Sequence, residues 1–200
     1  MPKVTDEHKV AMRARIQDAA LACFARKGFA AASMADIVKE ADLSAGAVYV
    51  YYSSKSELMF DAGRQIMEQR LSVFDGLATA DDVPPPQVVF PRLLNAMLDD
   101  NPFAPLVIQV WAEAVHTPEF ADLASTIFAE VRARFEAYLS AYFRKSLGET
   151  EADAADRARR CAPAVLAMIQ GGIVQTAVFG TEARTMITES MTALLAELER

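Results

Sequence analysis

Tyr49, Tyr51 and Tyr52, with Lys55 just beyond them, are the residues of this 200-residue chain whose types and spacing most suggest chemistry. A phenol offers a flat face to a sugar and a hydroxyl to a phosphate oxygen, and an ammonium pairs with a phosphate. Ala45, Gly46 and Ala47 stand immediately before them and are almost bare backbone. A helix opening on these three can press its first turn against a groove floor. Taken singly, the tyrosines also suit ordinary packing, Tyr52 best of the three, and Lys55 suits a solvated surface. No Ser/His/Asp constellation, phosphate loop or dinucleotide fingerprint can be assembled elsewhere, so no enzymatic activity is expected. Asp81-Asp82 and Asp99-Asp100 fall in loop-like stretches and read as solvated or capping carboxylates. His116 closes a helical stretch, where a cation suits the dipole better than a metal does. Cys23 and Cys161 form no CxxC and read as buried thiols in a reducing compartment, with neither metal nor cofactor expected.

These residues need a scaffold, and composition says of what kind. The chain is 52% apolar and 24% charged, enough apolar mass for a folded protein and too much for a disordered one. The net charge is −7, unevenly placed. Residues 1–58 carry eight Lys/Arg against seven Asp/Glu, whereas residues 59–200 carry twelve against twenty. An acidic protein is repelled by phosphates, but here the acidity belongs to the later part, and the first is free to approach DNA. The most apolar stretch, Ala164 to Phe179, is short for a membrane span and is interrupted by Gln170, Gly171-Gly172 and Gln175. It reads as a helix of a soluble protein. Met1 to His8 lacks the apolar segment of a signal peptide, so a cytoplasmic protein without a membrane partner is expected.

The periodicity is helical throughout, giving an all-α chain of about nine helices. Ile16, Ala19, Ala20, Cys23 and Phe24 recur at helical spacing up to a stop at Gly28. Ser33 can cap a short helix carrying Ile37, Val38 and Ala41. Asp42-Leu43-Ser44 makes a tight turn, and Ser44 caps a second short helix to Tyr51. Ser53 or Ser54 precedes a long helix from Lys55 to about Ala78. Further helices are expected from Gln87, from Leu106 to His116, and from Pro118 to Leu147. Another, interrupted by Pro163, opens at Thr150 or Asp153 and ends at Gly180, and the last begins at Thr181.

Arg13 to Leu58 thus has the order of a helix-turn-helix, in which one helix braces the turn and the next lies in the major groove. Leu43, with Ile37 and Val48, can wedge the two helices apart. The run Ser33-Met34-x-x-Ile37-x-x-x-Ala41-x-Leu43-Ser44-x-Gly46-Ala47-Val48-Tyr49-x-Tyr51-Tyr52-x-Ser54-Lys55-x-Glu57-Leu58, with Gly28-Phe29 before it, resembles the DNA-binding signature of tetracycline-repressor (TetR) family regulators. The resemblance implies phosphate contacts from Ser33, Ser44, Tyr51 and Lys55, and base-edge contacts from Ala45, Gly46, Ala47 and Tyr49. So few long side chains imply sparse hydrogen-bonded readout, with DNA shape and apolar contacts carrying much of the specificity. Lys55→Ala is expected to flatten the salt dependence of binding by ~1 in slope. Two positions depart from the family pattern. Asp42 stands where Gly is usual, and Asp tolerates a left-handed backbone. Tyr52 stands where Phe is frequent, and its hydroxyl then needs a partner. Further along, Trp111-Ala112-Glu113-Ala114 and Thr117-Pro118-Glu119 resemble the C-terminal domains of the betaine-regulator-like branch.

The expected organisation is a DNA-binding domain over residues 1–54 and a ligand-binding and dimerisation domain over 55–200. A palindromic operator calls for a homodimer, and the last two helices, about 153–180 and 182–199, are apolar enough to form its four-helix bundle. Gly171-Gly172 suits a close approach of two backbones there, though the same stripe also suits a simple core. A small, largely apolar effector is expected among Met67, Phe74, Phe90, Met97, Phe103, Gln109, Trp111, Glu113, Phe128, Met168 and Gln175. Each of the apolar ones also suits a core, and Gln109, Glu113 and His116 form either a solvent stripe or the polar handle of a cavity. Gln170 poses the same choice. The function expected is a repressor released from its operator by that effector. The alternative is a helical protein–protein adaptor without DNA binding.

Overall fold

The computed structural model describes residues 6–99 and 103–199, which form nine α-helices and no strand among the described residues. They are α1 (Asp6–Lys27), α2 (Met34–Glu40), α3 (Ala45–Tyr49), α4 (Lys55–Thr79), α5 (Pro86–Leu98), α6 (Phe103–Ala114), α7 (Pro118–Ser146), α8 (Glu151–Phe179) and α9 (Thr181–Ala196), with a 3₁₀ turn at Glu197–Glu199. All-α architecture is therefore what the periodicity led to. Pro163 lies inside α8 without ending it. The side chains of residues 103–105, 119 and 123 lie outside the described residues, and Phe103 as an effector contact with them.

Local chemistry sets the first four helices. Gly28, at φ 78°, turns the chain out of α1. Ser33 and Asp36 form a capping box, the Ser33 hydroxyl accepting from the Asp36 N–H and the Asp36 carboxylate accepting from the Ser33 N–H. Hydrogen bonds from the Lys27 ammonium, and then from Ser33, pull the Asp36 carboxyl down to about 2. Asp42 adopts φ 51°, so the turn survives without its glycine. The turn is also clamped from α1, where the Arg15 guanidinium donates to the carbonyls of Ala41 (2.8 Å) and Asp42 (3.0 Å). Ser44 caps α3, Ser54 caps α4 and Thr150 caps α8, each accepting a backbone N–H with its hydroxyl.

Two hydrophobic cores follow. One gathers Ile16, Ala20, Cys23 and Phe24 of α1, Ile37, Val48 and Tyr52, and continues into Leu58, Met59 and Phe60 of α4. Leu106 of α6 and Phe120 and Ala124 of α7 complete it, so the N-terminal unit is sealed by later helices. The other joins the second half of α4 to α5, α7, α8 and α9. Phe74 and Phe90 sit at its centre. They are stacked on each other at 5.7 Å, and both pack on Phe135 and Tyr138. Both of these expected effector residues thus pack among aromatic rings in this core, and neither lines the cavity described below. Gly172 is likewise packed within the chain. A Cβ there would meet Leu94 Cδ2 at 2.8 Å and Ile187 Cγ2 at 3.3 Å, so its close approach is to α5 and α9 of its own chain.

Candidate functional site: an exposed recognition helix beside an apolar cavity

α3 is anchored by a single buried side chain, Val48, and turns the rest of its surface outward. Ser44, Ala45 and Gly46 are exposed and Ala47 is half-buried. Tyr49 is 53% exposed and Val50, just past the helix, 80%. Tyr51 is half-buried against the N-terminal core, and Ser33 is exposed at the start of α2. A continuous outward patch of bare backbone, one phenol and one valine results, with no cation among its own side chains. Val50 had drawn no attention in the sequence; a large apolar side chain following the phenol was the available signal.

The one cation that the sequence offered as a DNA contact is engaged within the chain. Lys55 spends its three N–H donors on the carbonyls of Phe29 (2.6 Å), Ala30 (3.3 Å) and Ala32 (2.9 Å), and its ammonium sits 4.3 Å over the Phe29 ring. It ties the start of α4 to the connection between α1 and α2. A phosphate contact from Lys55, the role expected from the sequence, would require giving up one of those carbonyls. Arg26 and Lys27 likewise pair with Glu40 and Asp36 of α2.

A second brace surrounds Tyr52. Its ring is buried, and its hydroxyl donates to the Asp61 carboxylate at 2.5 Å. Burial first, and then this hydrogen bond, push the phenol above its ordinary range, so it stays a donor. Asp61 also accepts from Gln17 Nε2 (3.0 Å) and Arg13 Nη1 (2.9 Å), and Gln17 is itself buried. The hydroxyl that departs from the family pattern is thus repaid by a carboxylate on α4. Asp61→Ala leaves two buried donors unpaired and is expected to cost about 2–4 kcal/mol in denaturant unfolding at fixed protein concentration, against about 1 kcal/mol for Tyr52→Phe. Equal costs would show that the phenol alone carries the contact.

Behind this unit, α4, α6, α7 and α8 enclose a cavity with about 70 Å³ of free volume. Its walls include Met59, Phe60, Gly63 and Met67 of α4, Met97 of α5, Val107 and Val110 of α6, Phe128 of α7, and Leu166 and Gln170 of α8. Gln170 is the polar side chain among the described lining residues. Trp111 stacks on Phe128 at 4.8 Å, and the pair stands where the cavity adjoins an open groove carrying Ser125 and Arg132. Among the described residues no cluster of His, Cys, Asp or Glu could hold a metal ion.

The profile of the bacterial regulatory proteins of the tetR family matches residues 16–62. That of the C-terminal part of BetI-type transcriptional repressors matches residues 86–198, more than half of the chain. The chain belongs to the TetR family. The second match falls on the branch that Trp111 to Glu119 resembled. Among its relatives, the uncharacterized HTH-type transcriptional regulator YfiR of Bacillus subtilis is 44% identical over 80 residues, 40% of this chain and 36% of that protein. The nicotine-responsive repressor HdnoR of Paenarthrobacter nicotinovorans is 30% identical over 128 residues, 59% of this chain and 62% of that one. The matches thus span less than two thirds of the length of these relatives. Salmonella enterica GusR shares the fold, with a TM-score of 0.73 over 97% of this chain and 99% of its own at 24% identity.

Within this TetR-family framework the expected effector residues divide. Met67, Met97 and Phe128 line the cavity, and Trp111 lies at its edge. Met168 packs on the C-terminal core, Glu113 is half-buried outside the cavity lining, and Gln175 is exposed. Gln109 points the other way, its side-chain oxygen accepting the Phe29 N–H at 2.7 Å. Met59, Phe60, Gly63, Val107, Val110 and Leu166 were missed. They are ordinary apolar helix residues, and only tertiary packing separates a cavity wall from a core.

Proposed function

We propose that this TetR-family protein is a homodimeric repressor that reads a two-fold symmetric operator with two copies of α3 and is released by a small, largely apolar effector. The observation that carries the reading is the outward patch of α3, which leaves Gly46 and Tyr49 in solvent and spends only Val48 on the core. Residues 1–54 carry the DNA contacts and residues 55–200 the effector site and dimer face. Ala45, Gly46, Ala47 and Tyr49 face base edges, and Ser33, Ser44 and Tyr51 reach phosphates. Lys55 holds the α1–α2 connection in place rather than a phosphate. The protein works in the cytoplasm, where its operator is. Dimerisation uses α8 and α9, whose exposed Val178, Phe179, Met186 and Leu194 belong to neither core.

The effector enters between α4, α6, α7 and α8. Sites for drug-sized ligands hold roughly 300–1,000 Å³, so 70 Å³ describes a closed state that a ligand must widen. Apolar walls select an apolar compound, and Gln170 supplies one point of polar recognition. Linkage requires operator DNA to weaken effector binding by the same factor by which effector weakens operator binding. A helical adaptor without DNA binding is not favoured.

Selection from random duplex DNA with the purified protein tests the reading, and two-fold symmetric half-sites are the expected product. Affinity for the selected duplex should fall steeply with salt. Lys55→Ala should weaken binding while leaving the salt slope unchanged within ~0.3, because all three of its donors serve backbone carbonyls. A slope flattened by ~1 would restore Lys55 as a phosphate ligand, and failure to enrich any duplex would end the repressor assignment.

A further inference from the structure

Phe29 is held from two directions by helices that flank the cavity. Its N–H donates to the Gln109 side chain of α6 at 2.7 Å, and its carbonyl accepts from Lys55 of α4 at 2.6 Å. Its ring lies under the Lys55 ammonium and meets the Phe120 ring of α7 at 5.3 Å. The residue sits directly after Gly28, where the chain leaves α1 for α2, and is buried.

α6 is the two-sided element in this arrangement. Val107 and Val110 face the cavity, while Gln109 looks across a narrow crevice at Leu21, Phe24 and Ala25 of α1. Leu106, Phe120 and Ala124 also join α6 and α7 to the N-terminal core, but those contacts are apolar and tolerate sliding. A hydrogen bond does not: it weakens steeply once its length or angle departs from the optimum. A buried N–H left unpaired is costly, so the connection at Phe29 follows Gln109 when α6 moves. Asp61 has already fastened α1 and the α3–α4 junction to one another through Arg13, Gln17 and Tyr52. Displacing Phe29 therefore turns that whole braced unit, α3 included.

We infer that Gln109 is the positioning residue through which α6 sets the orientation of α3, its side chain latching the Phe29 peptide to the wall of the cavity. The inference rests on the reading of α3 as the DNA contact and adds the residue that couples it to the effector site. Gln109 lies off both the cavity lining and the α3 surface, so a change there alters neither binding site directly.

The test uses the full-length protein without any effector. Gln109→Leu removes the acceptor while keeping the side-chain bulk, and Gln109→Glu retains an acceptor oxygen. In Gln109→Leu, amide hydrogen exchange at Phe29, followed by NMR, should accelerate about tenfold, with exchange at Ile37 unchanged. Affinity for the selected operator should fall about five- to tenfold. Gln109→Glu should restore both. Should Gln109→Leu prove unstable, Gln109→Ala against Gln109→Glu gives the same comparison. Unchanged exchange at Phe29, or lost protection with operator affinity intact, overturns the inference. Absence of any operator binding by the unsubstituted protein would instead overturn the repressor reading, and the exchange result would still decide whether the latch exists.

Discussion

Gly46→Glu is expected to lower operator affinity by ~100-fold or more, counting both recognition helices of the dimer at about 1.5–3 kcal/mol each. The fold has no objection to the side chain. A Cβ at Gly46 meets nothing within 4 Å, and the backbone there is ordinary right-handed helix. Exchanging glycine for a residue with a side chain removes unfolded-state freedom, and a carboxylate in the first turn of a helix suits the dipole. The melting temperature should therefore stay within ~3 °C of the parent or rise slightly. DNA objects on two grounds. A side chain of five heavy atoms would occupy the face that α3 is proposed to press against the duplex, and a negative charge would stand among phosphates. Gly46→Ala separates the two effects, because it adds a methyl and no charge, and a loss of ~10-fold or less is expected there. Fluorescence anisotropy on the selected operator and thermal melting by circular dichroism check the pair. An unimpaired Gly46→Glu protein would mean that α3 does not enter a groove.

Such a variant could be designed from the sequence because the caps and turns that delimit α3 are local. Ser33, Ser44 and Ser54 are capping residues at fixed offsets from the helices they start, and Gly28 and Asp42 are turn residues with the backbone freedom the turns require. The effector site obeys no comparable rule. Phe74 and Phe128 are both aromatic residues on amphipathic helices, yet Phe74 fills the center of a core and Phe128 walls a cavity. What separates them is enclosure: Phe74 meets Phe90, Phe135 and Tyr138 from two other helices, whereas Phe128 meets Trp111 at the edge of the cavity, and no periodicity encodes that difference. The polar residues carry the same lesson. Gln109 lies on one face with Glu113 and His116 and suggested solvent or a handle for ligand, but its partner is a backbone amide 80 residues away. Lys55 stood in the register of a phosphate ligand and instead serves three carbonyls of the α1–α2 connection. Long-range satisfaction of backbone groups decides both positions, and it follows from the folded arrangement alone.

Val178→Asp together with Leu194→Asp is expected to turn the dimer into a monomer and to weaken operator binding by ~100-fold or more, the loss that accompanies abandoning two linked half-sites for one. α8 contains an 18-residue window apolar enough to cross a membrane by composition, yet only 28% of it is buried within the chain. In a DNA-binding family that surface calls for a protein partner, and a second copy supplies one with two-fold symmetry. Val178 and Phe179 end α8 at 63% and 70% exposure, and Met186 and Leu194, at i and i+8 on α9, are 57% and 62% exposed. None of the four belongs to either core, so aspartate at two of them costs the isolated chain little. Two carboxylates per subunit buried in a two-fold interface place four like charges in a desolvated region. Gly171 also faces away from its own chain, with nothing but the Gln175 amide at 3.8 Å, whereas Gly172 is already spent on Leu94 and Ile187. The close approach that the glycine pair suggested is thus divided, with Gly172 turned inward and Gly171 left without a tight contact inside the chain. Sedimentation velocity reads the first consequence and operator titration the second. A variant that remains dimeric would move the interface off the ends of α8 and α9. One that becomes monomeric yet keeps full operator affinity would show that a single α3 suffices.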